Sequence, residues 1–208
     1  MKKLIIFDMD GTLVDSSQTI ANAINHVRNH IGLPPMESQK IIEKINDHHL
    51  NPAQYFYETD QFKGEHETWF SEYYTQHHQR ELILYSDIKE MLEELKSSDF
   101  KLAIATNAYR GSTIESLTHL DIYHLFDTIA CYDDVSRGKP HPDMLLKILQ
   151  DLDIPSSHAI FVGDGERDEI ASMRAGIEYI MVDWGFDRYK DAVANVDSLL
   201  REIREISS

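Results

Sequence analysis

Five short segments of this 208-residue chain are essentially apolar, and they constrain its fold more than any other feature. They are residues 3–7, 102–105, 129–131, 159–162 and 179–182. A strand that is apolar on both faces is typical of a parallel sheet covered by helices on each side, whereas a half-exposed strand alternates apolar and polar residues. We therefore predict that these segments form the buried strands of one parallel sheet.

The segments between these strands have the apolar spacing of helices. Residues 86–95, 143–149, 166–175 and 199–206 place apolar side chains on one helical face. Ser86 and Asp143 are predicted to cap the first two helices, and Gly176 to end the third. The alternation of strands and helices predicts an α/β fold with a doubly wound sheet.

Residues 16–83 interrupt this alternation. They contain helical patterns and no convincing strand, and they lie between the first strand and the next helix of the sheet domain. They hold seven of the 11 histidines and eight of the 20 aromatic residues. We expect most of these eight aromatic residues to form the core of a small module. The sequence therefore predicts a core of residues 1–15 and 84–208 with a helical insert at 16–83.

The charge and cysteine content exclude some classes of protein. The formal net charge is −16, with no basic stripe that could neutralise a nucleic-acid backbone. No apolar run approaches the roughly 20 residues of a membrane-spanning helix. Cys131 is the one cysteine, so no intrachain disulfide can form, which is typical of a reducing cytoplasm. We therefore expect a cytoplasmic protein that binds neither nucleic acid nor membranes.

Polar side chains follow four consecutive strands of the predicted sheet. They are Asp8 and Asp10 after the first, Thr106 and Asn107 after the second, Lys139 in the loop after the third, and Asp164 after the fourth. Turns are often polar, but four strand ends that supply chemically related groups are hard to explain in that way. In open α/β sheets such groups gather beyond the carboxyl ends of the strands, and we expect one site there.

These residue types suggest how a phosphate ester could be cleaved. The carboxylate of Asp8 can attack phosphorus and form an acyl-phosphate, which splits hydrolysis into two easier steps. Asp10 would protonate the leaving oxygen and then activate water. Lys139 would offset negative charge, and Thr106 with the backbone amide of Asn107 would bind the phosphoryl oxygens.

An oxygen-rich site without a cysteine or histidine cluster suits Mg²⁺. Asp164 and Asp168 are four residues apart where a strand passes into a helix, so both lie on one face. One could bind the metal while the other orients Lys139 or a metal-bound water. Alternatively, Asp168 only complements the helix dipole. A bound cation would also let so acidic a protein accept an anionic substrate.

Four stretches resemble the motifs of the haloacid dehalogenase superfamily. They are residues 7–15 (FDMDGTLVD), 105–107 (ATN), 138–143 (GKPHPD) and 163–168 (GDGERD), in that order. The resemblance implies a Rossmann-like core with a mobile helical cap at 16–83. It also implies Mg²⁺ held by Asp8, the backbone carbonyl of Asp10, and Asp164.

Within that superfamily the second aspartate distinguishes reaction types. Members that remove halogen from carbon lack it, so Asp10 favours phosphoryl transfer. The phosphomutases typically carry a histidine and a lysine early in the cap, and residues 16–20 (SSQTI) contain neither.

The layout, including residues 184–186 (WGF), looks most like the phosphoglycolate phosphatase group. Gly165 departs from the serine that is frequent there, and the loop at 45–49 could contact the leaving group or be a solvated turn.

The sequence therefore predicts a magnesium-dependent phosphatase for a small phosphorylated metabolite, such as phosphoglycolate, a sugar phosphate or a nucleotide. A pyrophosphatase or a phosphomutase on the same core is the alternative among enzymes. A non-catalytic binding protein is a third alternative, although every predicted catalytic residue is present. The natural substrate and the choice between monomer and homodimer stay open at this point.

Overall fold

The computed structural model describes residues 2–45, 50–184 and 189–207. The strands are β1 (Leu4–Phe7), β2 (Val14–Asp15), β3 (Ile83–Leu84), β4 (Lys101–Ala105), β5 (Thr128–Ala130), β6 (Ala159–Gly163) and β7 (Glu178–Met181). The helices are α1 (Ser17–His30), α2 (Ser38–Lys44), α3 (Pro52–Tyr57), α4 (Gly64–Glu81), α5 (Ile88–Ser97), α6 (Arg110–His119), α7 (Asp143–Leu152), α8 (Glu166–Ala175) and α9 (Val196–Ser207). The chain divides into two compact units, Met1–Asp15 with Ile83–Ser208, and Ser16–Leu82.

The five predicted strands form one parallel sheet in the order β5-β4-β1-β6-β7. β1 occupies its centre, where Phe7 pairs with Ile104 on one side and Val162 on the other. All four side chains of β1 are fully buried, because helices cover both faces of the sheet. The predicted α/β fold with a doubly wound parallel sheet is confirmed.

The two faces of the sheet pack against different helices. Leu4 and Ile6 point into a core cluster with apolar residues of α7 and α8, among them Met144 and Ala171. Between them Ile5 is equally buried, and α5 contacts β4 and α9. Successive strand residues point to opposite faces, which is why a strand buried on both sides shows no polar alternation.

The helix starts differ from the predicted caps. α5 begins at Ile88 after Asp87, so Ser86 does not cap it. Asp143 is the first residue of α7, so the cap position falls to Pro142, and the Asp143 carboxylate instead pairs with the guanidinium of Arg137 at 3.1 Å. The predicted stop of α8 is confirmed, since Gly176 adopts the left-handed conformation with φ of +66°.

The second unit, Ser16–Leu82, contains helices α1 to α4, and α1 packs along α4. Its core includes Ile24, Val27 and Phe56, with Trp69 packed against it. The expectation that most of the aromatic residues build this core is confirmed, and Phe62, which is 48% exposed, is an exception. No helix within the described ranges combines the length and apolarity needed to cross a membrane.

The sequence did not predict the short antiparallel pair of β2 and β3. Val14 pairs with Leu84, and Asp15 with Ile83, so the two chain segments that flank the helical unit are joined by backbone hydrogen bonds. The backbone N–H of Tyr85 donates to the carbonyl of Leu13 at 3.1 Å and extends this pairing. Strands of two residues are too short for periodicity to detect.

A partly buried ion pair between Arg110 and Asp134 supports the loop after β5. It yields a prediction about stability. Asp134 accepts from Arg110 Nε at 2.7 Å, from Arg110 Nη2 at 2.6 Å and from the N–H of Cys131 at 2.7 Å. The bonds from Arg110, and next that from Cys131, hold the pKa of Asp134 below its usual value. This stabilisation is therefore present above the unfolded pKa of about 4 and is lost as the pH falls through the folded value.

We predict that Asp134→Asn lowers the free energy of unfolding by roughly 1 kcal/mol at neutral pH. The difference from wild type should shrink below about pH 4, where the carboxylate becomes protonated. Urea denaturation at several pH values measures both effects. Asp121→Asn, which removes exposed pairs with Lys89 and His124, is the control. Equal and pH-independent losses in the two variants would contradict the prediction.

Candidate functional site

The carboxyl ends of three neighbouring strands bring predicted residues to one edge of the sheet. Asp8 follows β1, and its N–H donates to the Val162 carbonyl at 2.9 Å. Thr106 follows β4, and its N–H donates to the Ala130 carbonyl at 3.1 Å. Asp164 follows β6. Because the strands are parallel and in close register, these three residues share one rim of the sheet.

Lys139 links two of the predicted carboxylates. Its Nζ lies 2.5 Å from Asp8 Oδ1 and 2.7 Å from Asp168 Oδ1. All three residues are buried, with exposures of 7%, 7% and 4% for Lys139, Asp8 and Asp168. The Nζ also lies 5.5 Å from the centroid of the Phe161 ring. The structure thus joins residues from the first, third and fourth motifs in one charge network.

The electrostatics of this network keep the lysine charged. Burial alone would lower the pKa of Lys139, but the adjacent Asp168 and Asp8 outweigh it, so the pKa is raised and the side chain is an ammonium. Burial raises the pKa of Asp8 well above its usual range. Lys139 lowers that pKa, while Asp168 and Asp164 raise it further. One ammonium therefore does not fully compensate the carboxylates around it.

The donor set fits a divalent cation. Asp8, Asp164 and Asp168 each offer a carboxylate oxygen, and these oxygens lie within 4.8 Å of one another. With Lys139 charged and the three carboxylates ionised, two negative charges stay unbalanced among these four groups. All the donors are hard oxygens, as Mg²⁺ prefers. Within the described ranges, no other group of three acidic, histidine or cysteine side chains is so placed.

Asp10 is not a member of this group of carboxylates. It lies in a tight turn that leaves β1, in which the N–H of Gly11 donates to the Val14 carbonyl at 2.9 Å. Gly11 has φ of +84°, and a Cβ on it would lie 2.7 Å from the Cγ of Asp164. The turn therefore requires glycine both for its conformation and for the close approach of the Asp164 carboxylate.

Thr106 and Asn107 occupy the end of β4 as predicted. Thr106 is buried, and its hydroxyl accepts from the N–H of Ala108 at 3.1 Å. The Asn107 side chain has a role that the sequence did not show. Its Nδ2 donates to the Lys139 carbonyl at 3.0 Å, and its Oδ1 accepts from the Lys139 N–H at 2.9 Å. This pair of bonds fixes the backbone that carries the lysine.

Two further contacts hold the loops of the site, and sequence patterns gave no signal for either. Arg174 of α8 donates from Nη1 to the carbonyl of Pro140 at 2.9 Å, next to Lys139. Trp184 donates from Nε1 to the Thr12 carbonyl at 2.9 Å, in the turn after Asp10. Long-range bonds to backbone carbonyls leave no sequence signature, since any residue supplies the acceptor. The predicted positions 46–49 and 185–186 lie outside the described residues.

Comparisons with known proteins identify the family of this chain. A family model described as haloacid dehalogenase-like hydrolase matches residues 5–182. Pyrophosphatase PpaX of Oceanobacillus iheyensis is 28% identical over 206 residues, which is 98% of this chain and 94% of the relative. Pyrophosphatase PpaX of Bacillus mycoides is 28% identical over 181 residues, 86% of this chain and 83% of the relative.

Solved structures show the same fold. A predicted phosphoglycolate phosphatase from Haemophilus somnus is 25% identical, with a TM-score of 0.83 over 97% of this chain and 98% of its own. A predicted phosphatase from Clostridium acetobutylicum is 23% identical, with a TM-score of 0.85 over 99% of both chains. The resemblance drawn from the four motifs is therefore confirmed at the level of family and fold.

The packing of Gly163 against Asp168 gives a prediction. A Cβ at Gly163 would lie 2.7 Å from the Cβ of Asp168, whereas a Cβ at Gly165 would meet nothing within 4 Å. We predict that Gly163→Ala lowers the free energy of unfolding by about 1–3 kcal/mol through overpacking. Gly165→Ala, the matched control, should lower it by less than about 1 kcal/mol. Urea denaturation compares the two, and similar losses would contradict the prediction.

Proposed function

The chain belongs to the haloacid dehalogenase-like hydrolases, and on that premise we propose that it is a magnesium-dependent phosphatase whose nucleophile is Asp8. One observation carries the proposal: the buried Lys139 holds Asp8 and Asp168 together, within a group of carboxylates suited to a divalent cation. Such a network fixes the orientation of the attacking carboxylate. It also supplies positive charge where a phosphoryl group would bind.

In the first half of the reaction, a carboxylate oxygen of Asp8 attacks phosphorus as the bond from phosphorus to the leaving oxygen breaks. The protonated Asp10 gives its proton to that leaving oxygen, which departs as an alcohol. The Thr106 hydroxyl and the backbone N–H of Asn107 donate to the phosphoryl oxygens, and the Lys139 ammonium offsets their charge. The product of this half is an acyl-phosphate on Asp8.

In the second half, the Asp10 carboxylate takes a proton from water, and the water oxygen attacks phosphorus. The bond between phosphorus and the Asp8 oxygen breaks, which releases inorganic phosphate and restores the Asp8 carboxylate. Asp10 is then protonated and ready for another cycle. The salt bridge of 2.5 Å to Lys139 stabilises the returning carboxylate.

The metal would be held by Asp8, Asp164 and the backbone carbonyl of Asp10. When bound, Mg²⁺ supplies charge neutralisation that lets an anionic carboxylate and an anionic phosphoryl group approach each other. Asp168, whose Oδ1 is engaged by Lys139 at 2.7 Å, orients the lysine. This division of roles assigns Asp164 to the cation and Asp168 to the ammonium.

We assign the substrate to small phosphorylated metabolites, with specificity set by the helical unit at Ser16–Leu82. Asp10 supports an oxygen leaving group, because an alkoxide needs a proton and a halide does not. A net charge of −16 argues against nucleic-acid substrates. We further propose cytoplasmic action, without a membrane partner, as a monomer or a homodimer.

We predict that Asp8→Asn reduces phosphatase turnover by roughly a thousandfold or more, because an amide cannot form the acyl-phosphate. The assay uses a generic phosphomonoester with Mg²⁺, and circular dichroism verifies folding. Asp151→Asn, which removes a carboxylate of an exposed pair with Lys147, should retain full turnover. Magnesium-dependent turnover that survives in Asp8→Asn would rule out Asp8 as the nucleophile.

A pyrophosphatase is the second candidate, and the two PpaX relatives favour it. The same steps apply to pyrophosphate, with inorganic phosphate as the leaving group. Because phosphate is a weaker base than an alkoxide, its departure depends less on protonation. The contribution of Asp10 therefore distinguishes the two kinds of substrate.

We expect kcat/KM for a small phosphomonoester such as phosphoglycolate to exceed that for pyrophosphate. Measurement of both substrates, with wild type and with Asp10→Asn, decides between the candidates. A phosphomonoesterase should lose far more activity on the ester than on pyrophosphate when Asp10 is replaced. If pyrophosphate has the higher kcat/KM in wild type, the pyrophosphatase assignment replaces the phosphomonoesterase. Isomeric phosphorylated products, instead of free phosphate, would indicate a phosphomutase.

A further inference from the structure

We infer that Tyr179 of β7 is a positioning residue, which holds the first turn of α8 and so keeps Asp164 in place for the cation and Asp168 in place for the Lys139 ammonium. The inference rests on the proposed magnesium site and extends it to a residue outside all four motifs. Tyr179 lies in a strand whose residues the sequence predicts only as part of the sheet. Its hydroxyl, in contrast, reaches the loop that carries the acidic residues.

The hydroxyl contacts the residue between the two acidic positions. Tyr179 Oη donates to the carbonyl of Gly165 at 3.2 Å. The other neighbour of the hydroxyl is Met181 Sδ at 3.4 Å, a weaker acceptor than a carbonyl oxygen. The same carbonyl of Gly165 accepts from the N–H of Asp168 at 3.0 Å and from that of Glu169 at 3.2 Å. Tyr179 therefore fixes the oxygen around which the first turn of α8 is built.

The ring of Tyr179 supports the lysine side of the site. Tyr179 is paired with Phe161 across the parallel strands, and their ring centroids lie 5.9 Å apart. The Phe161 ring in turn lies 5.5 Å from Lys139 Nζ. Tyr179 thus contacts, through its hydroxyl and its ring, the supports of both the acidic group and the ammonium.

The surroundings keep the hydroxyl a donor. Burial raises the pKa of Tyr179, and the nearby Asp168, Asp164 and Asp8 raise it further. A phenol in this environment retains its proton across the physiological range.

Gly165 makes the bond from Tyr179 more important, because glycine has no side chain that could cap α8, and α8 has no side-chain capping bond. The tyrosine holds this turn by donating to the Gly165 carbonyl, whereas a serine at position 165 would hold the same turn by accepting from the N–H of Asp168.

The test is direct Mg²⁺ binding by isothermal titration calorimetry, alongside kcat and the magnesium half-saturation of turnover. Tyr179→Phe keeps the ring and removes the donor. We expect its Mg²⁺ dissociation constant to rise by roughly tenfold, the lower end of the effects measured for residues that support metal ligands. The half-saturation should rise in parallel, and turnover at saturating Mg²⁺ should change less.

The matched control is Ser172→Ala, at the other end of the same helix. Ser172 is fully buried, and its Oγ donates to the Ile177 carbonyl at 2.8 Å. The control therefore removes one buried bond from a hydroxyl to a carbonyl without touching the first turn of α8. It should lower the free energy of unfolding while Mg²⁺ affinity stays within about twofold of wild type.

A rescue variant separates positioning from a general loss of stability. Gly165 has φ of −150° and open space at its Cβ, so serine fits there without strain. A serine at this position can cap the helix by accepting from the N–H of Asp168. Adding Gly165→Ser to Tyr179→Phe should restore most of the Mg²⁺ affinity.

Unchanged affinity in Tyr179→Phe, an equal loss in Ser172→Ala, or no recovery in the double variant would each overturn the inference. In all three cases wild type still binds Mg²⁺ and turns over, so the proposed function stands. Wild-type protein that neither binds Mg²⁺ nor hydrolyses phosphate compounds would instead overturn the proposed function, and this inference with it.

Discussion

The contacts of the buried Lys139 ammonium with Asp8 and Asp168 are the interaction on which the site depends. Removing charges from water is costly, and a buried ion pair seldom adds much stability over apolar packing. Stability alone therefore does not explain why these three charged groups are buried together. The Lys139 ammonium orients the Asp8 carboxylate, and in the proposed reaction its positive charge would stay fixed while a phosphoryl group arrives and leaves.

The backbone around Lys139 is organised to hold that charge in place. Asn107 binds both backbone polar groups of the lysine, and Arg174 binds the carbonyl of the following Pro140. Glycines at 11, 138 and 163 let neighbouring segments approach more closely than a Cβ would allow. Precise placement of a few charged atoms thus depends on bonds and small residues that do no chemistry themselves.

The proposed chemistry would apply to several phosphorylated substrates, so the assignment of substrate depends on other parts of the chain. The comparisons include pyrophosphatases by sequence and a predicted phosphoglycolate phosphatase by structure. Under the proposed function, both kinds of substrate carry a phosphoryl group and differ in the leaving group, to which Asp10 would give its proton.

The sequence by itself determined the parallel sheet, the helical insert and the polar strand ends, because hydrophobic periodicity and motif order are local properties. It located Asp8, Thr106, Lys139 and Asp164, yet it misplaced the caps of α5 and α7 and missed the pair of β2 and β3. Only the tertiary structure showed that Lys139 contacts Asp8, which is 131 positions earlier in the chain, and that Asn107 and Tyr179 support the site. Contacts between distant segments depend on how the elements pack, and no spacing in the sequence encodes them.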